Sequence, residues 1–139
     1  MTPALAMTAV LPLVGILIGA GLQYLFGRSL EAKKQIQNQK GQAYADYFRA
    51  FSRIATVGRT KETLSAVVDA KTRICVYGSD EVVKRLAEFE RAGATTNSAN
   101  SHALVARLLS AMRKDVGASR EAADIEDVGV VVFGSDWKG

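Results

Sequence analysis

Apolar positions change their spacing along this chain, and each change predicts a different element. Thr8 to Phe26 is an almost unbroken apolar run, interrupted inside only by Gln23. A spanning helix needs roughly 20 apolar residues, because ~1.5 Å of rise per residue must cross about 30 Å of hydrocarbon. The length of the run and its lack of a polar face therefore predict a transmembrane helix and disfavour a core helix. A cleavable signal is disfavoured too, since no basic side chain precedes the run and it ends in the bulky "QYLFGR". Residues 28–42 contain good helix formers but almost no apolar face, which predicts a basic helical stalk continuing the span.

Helical spacing returns at Ala43. Tyr44, Tyr47, Phe48, Phe51, Ile54 and Ala55 form one aromatic-rich stripe, ended by Gly58. A second helix, from about Thr60 to Tyr77, is expected to bury Leu64, Val67, Val68, Ile74 and Cys75, with Lys71 as a polar interruption. "YGSDE" supplies a terminal glycine, a Ser79 cap and acidic first-turn residues for a third helix that turns Val82, Val83, Leu86 and Phe89 inward. After the polar loop "AGATTNSANS", a fourth helix presents Leu104, Val105, Leu108, Leu109, Met112 and Val116. The tail from 118 to 139 is less regular. Val128 to Phe133 reads as a short strand or extended docking segment, with Val131, Phe133 and Trp137 as its anchors. The expected fold is all-α: an anchor over 1–27, a stalk over 28–42, a helical bundle over 43–117, and an irregular or extended tail.

Charge sharpens the division at Gly27. No Asp, Glu, Lys or Arg lies between Thr2 and Phe26, so all 18 cations and 14 anions fall outside that stretch. Arg28, Lys33 and Lys34, with Tyr24 and Phe26, sit where a membrane surface would meet the span. By the positive-inside rule they orient the N-terminus outward and the bundle to the cytoplasm of a bacterial inner membrane. One cysteine, Cys75, suits a reducing compartment. Gly15 and Gly19 have the small-xxx-small spacing of a transmembrane packing face, and a bundle of this size without disulfide or metal gains from self-association.

Candidate chemistry is sparse. A single histidine, His102, and a single cysteine exclude a His/Cys metal site within one chain, and "GRTKET" lacks Walker spacing. No catalytic residue, metal or cofactor is expected. Arg49, Arg53, Arg59 and Lys61 could meet an anionic ligand such as a nucleotide. Residues 28–57 carry six cations against two anions, and residues 118–139 two cations against five anions, so the tail could equally neutralise the basic helices of its own or another copy.

The order of uncharged N-terminus, span and basic stalk, together with "AKTRICVYGSDEVVKRLAEF" and "ALVARLLSAMRKDVG", resembles small, uncharacterised single-span bacterial membrane proteins with a cytosolic helical domain. The resemblance implies an architecture and no reaction. The expected role is a membrane-anchored scaffold or interaction module, with lipid and a second copy or another membrane protein as partners. The alternatives are an oligomeric membrane effector sensing an anionic ligand and, as a minor reading, a tethered nucleic-acid binder.

Overall fold

The computed structural model describes residues 3–118 and 125–137, with side chains from residue 16 onward. It is all-helical among the described residues: α1 (Pro3–Val57), α2 (Lys61–Tyr77), α3 (Asp80–Arg91), α4 (Ala99–Asp115) and α5 (Ile125–Phe133). Two units are present, Met1–Gln37 and Asn38–Gly139, and α1 contributes residues to both.

The expected membrane span is overturned. Among the described residues no helix is long and apolar enough to cross a membrane, and the inner-membrane placement with its outward N-terminus falls with it. Among the described side chains the apolar stretch runs only from Ile16 to Phe26, interrupted by Gln23, before Arg28. At ~1.5 Å per residue that stretch covers roughly half of a hydrocarbon core. Residues 8–15, with Pro12 and Gly15, lie outside the described side chains.

Helix boundaries follow local chemistry. Gly58 ends α1 with φ +94° and its N–H bonded to the Ile54 carbonyl at 2.9 Å. Thr60 caps α2 reciprocally: its hydroxyl accepts from the Thr63 N–H at 3.2 Å, and the Thr63 hydroxyl accepts from the Thr60 N–H at 2.8 Å. Ser79 caps α3 through the Val82 N–H at 3.3 Å, with Asp80 and Glu81 in the first turn. Ser98 does the same for α4 through the Ser101 N–H.

In the unit Asn38–Gly139, α3 and α5 both pack against α4. Tyr47, Phe89, Ile74, Leu108 and Val82 are fully buried at the centre. Phe51 meets Phe89 with ring centroids 5.7 Å apart and stacks on Tyr47 at 6.3 Å. The aromatic stripe of α1 is thus core as far as Ile54, while Ala55 is exposed.

Helix α2 and the tail both differ from the sequence expectation. Helix α2 buries Thr63, Val67, Ala70 and Ile74, leaving Leu64, Val68 and Cys75 exposed. Its inward face is turned toward the small residues Thr63 and Ala70, which permit a close approach that Leu64 and Val68 would obstruct. The tail, expected to be irregular or extended, contains α5 instead. A lone strand would leave its backbone groups unpaired, whereas a helix satisfies them internally and still packs an apolar face.

Candidate functional site

A carboxylate at the end of α4 joins three helices. Asp115 Oδ1 accepts from Lys40 Nζ at 2.9 Å, and Oδ2 accepts from the Tyr44 hydroxyl and from the Ser79 N–H at 3.1 Å. The anion therefore sits at the N-terminus of α3, where the helix dipole favours negative charge. Gly78 makes this junction tight: a Cβ there would lie 2.6 Å from the Ile74 carbonyl oxygen and 3.2 Å from the Tyr44 hydroxyl.

Glu90 forms a second centre, accepting from Lys71 Nζ at 2.8 Å and from the Tyr47 hydroxyl at 3.5 Å. This explains Lys71 on the inward side of α2, since its charge is matched rather than merely tolerated. Neither centre brings a nucleophile to a base; each is a carboxylate holding donors from other helices. Among the described residues no group of three or more His, Cys, Asp or Glu could hold a metal ion.

The two tyrosines give these centres an alkaline limit. Burial, then the hydrogen bond and charge of Asp115, push the Tyr44 phenol well above its ordinary range; burial, then the charge and hydrogen bond of Glu90, do the same to Tyr47. A folded pKa raised above the unfolded one contributes stability that is complete below about pH 10 and is lost as pH rises toward the folded value. Urea midpoints should therefore hold to about pH 9 and fall above about pH 10. Tyr44→Phe should flatten that fall, and an unchanged alkaline slope would remove Tyr44 as its source.

The four candidate anion-binding cations do not form an enclosed site. Arg49 is exposed and pairs with Asp46 at 3.1 Å, while Arg53, Arg59 and Lys61 are exposed along the end of α1, the connection and the first turn of α2. Asp46 also receives Arg73 at 2.8 Å, which bridges onward to Asp69 at 2.8 Å. Of the four, only Arg49 is matched by a carboxylate among the described residues.

The tail residues separate by role. Phe133 stacks on His102 with ring centroids 4.0 Å apart and planes 11° from parallel, and His102 Nε2–H donates to the Thr96 carbonyl at 2.7 Å. Trp137 is buried against the buried Gly129, and Val131 is 85% exposed. Sequence reasoning missed the part played by His102 because the stack depends on a partner 31 positions away.

What is left uncovered is apolar. Ile16, Leu17, Ile18, Leu22, Tyr24, Leu25, Phe26, Leu30 and Ile36 on α1 are 47–69% exposed, so Tyr24 and Phe26 sit on an apolar helix surface beside exposed Arg28, Lys33 and Lys34. Nothing lies within 4 Å of a Cβ added at Gly19, Gly21 or Gly27. On α5, Ile125, Val131 and Val132 are exposed. These faces, rather than a cleft, are the features of the molecule with an unmet physical demand. No known protein family, curated protein or solved structure matches this chain.

Proposed function

We propose that this chain is a helical interaction module that assembles with further copies of itself through the exposed apolar face of α1. The observation that carries this reading is the set of nine large apolar side chains between Ile16 and Ile36 that the chain leaves uncovered. Together they offer on the order of 1,000 Å² spread around the helix, more than the few hundred Å² typical of a monomer's largest apolar patch and enough to seat more than one neighbouring element.

Spacing supports a helical partner. Ile18, Leu22, Leu25, Ser29, Ala32 and Ile36 alternate by four and three residues, the seam along which helices pack knobs into holes. Gly19, Gly21 and Gly27 each cost about 1 kcal/mol relative to alanine within a helix. No internal contact claims the space they leave, which suits close approach by another chain. The role is structural: the bundle is presented in a defined assembly, with no chemical step.

Light scattering on the full chain tests this. The wild type should give a multiple of the 14.9 kDa chain mass. Leu22→Asp with Leu25→Asp should give 14.9 kDa particles with unchanged helical circular dichroism. A wild type that is itself monomeric overturns the reading.

A further inference from the structure

Helix α5 is apolar on two sides. Gly129 and Phe133 face the body of the unit through Trp137 and His102, yet Ile125, Val131 and Val132 remain exposed on another side, with Val128 half-buried between them. A helix that is hydrophobic all round belongs between two neighbours. A second neighbour that is apolar over two or three turns and basic at one end suits this side, because Asp127 lies exposed in the first turn of α5 next to the valines.

We infer that the outer face of α5 receives residues 22–33 of α1 from a second copy of this chain, packed antiparallel. This rests on the self-assembly proposed above and names where α1 goes. Leu22, Leu25, Phe26, Ser29 and Lys33 share one face of α1 at i, i+3, i+4, i+7 and i+11, apolar first and cationic last. On α5 the order is reversed, with Asp127 first and Val131 and Val132 after it. Antiparallel packing thus sets valine against leucine and phenylalanine, and acid against base. With Val132 opposite Leu25, Asp127 lies opposite Leu30, and Lys33 is about 4.5 Å further along the axis. Helical side chains lean toward the N-terminus, so the Lys33 ammonium reaches back toward Asp127. Both faces are exposed in the single chain, so each is available to another copy.

Mixed-disulfide formation decides between this pairing and α1 against α1. In full-length protein carrying Cys75→Ser, one sample bears Leu25→Cys and another Val131→Cys; the two are mixed and oxidised, and products are separated by mass after distinct isotopic labelling. The expected product is the heterodisulfide between positions 25 and 131. It should form about tenfold less efficiently when Asp127→Lys is added to the Val131→Cys sample, and recover when Lys33→Glu is also added to the Leu25→Cys sample. Exclusive 25–25 homodisulfides, with light scattering still showing an oligomer, would overturn the α5 docking site while leaving self-assembly standing. A monomer by light scattering would overturn both.

Discussion

Replacing Gly129 with alanine should expel Trp137 from its seat and loosen α5 from α4. A Cβ at position 129 would enter the six-membered ring of the indole at Cε3, Cζ3 and Cη2, and the backbone of α5 cannot retreat without breaking the Phe133–His102 stack. The cost approaches that of unburying the indole, about 3–5 kcal/mol. Trp137 is the only tryptophan, so its emission reports the event directly: a red shift is expected in Gly129→Ala at temperatures where the wild type is blue-shifted. The Trp137 Nε1–H has no hydrogen-bond partner among the described residues, so the indole is held by shape rather than by a polar anchor. A double-mutant cycle isolates the clash between position 129 and the indole. In a Trp137→Ala background the added methyl has space, and Gly129→Ala should then cost under about 1 kcal/mol by thermal denaturation. Additive costs would show that Gly129 is needed for some other reason.

Asp115→Ala should be the most destabilising polar substitution in the unit Asn38–Gly139. It removes the common acceptor of Lys40, Tyr44 and the Ser79 N–H and leaves partly buried donors on α1 and at the start of α3 without a partner. Breaking such a centre from one side costs about 3–5 kcal/mol, read as a fall in the urea midpoint with little change in slope. A loss under about 1 kcal/mol would mean that water replaces the carboxylate.

The same residue sets an acid limit. Burial alone would raise the Asp115 pKa, but the hydrogen bonds from Tyr44, Lys40 and the Ser79 N–H outweigh it and hold the carboxyl below its ordinary range. A depressed folded pKa contributes stability that is complete above the unfolded value of about 3.9 and is lost as pH falls through the folded one. Asp115→Asn should therefore show a shallower loss of stability than the wild type below about pH 4.

Helix α1 shows the limit of reading a membrane from hydropathy. An apolar run predicts that something apolar must cover it, and lipid is one candidate among several. Exposure of Ile16 to Ile36 preserves the demand for a cover, while the described helix does not meet the length and apolarity of a span. The tail shows a different limit. Consecutive valines favour a strand locally, but with no strand among the described residues to pair with, the backbone satisfies itself as α5.

The sequence by itself determined the elements of the bundle that depend on near neighbours. The spacing of Tyr44, Tyr47, Phe48 and Phe51, of Val82, Leu86 and Phe89, and of Val105, Leu108 and Met112 marks three core faces, because helical period is a local property. Ser79 is legible as a cap for the same reason, its partner lying three residues away. Only the tertiary structure decided that α2 turns Thr63 and Ala70 inward instead of Leu64 and Val68. It alone placed Asp115 beside Lys40, 75 positions earlier, and His102 against Phe133. Those outcomes depend on which helix surfaces fit closely together, a property of pairs of elements that the pattern within one helix does not contain.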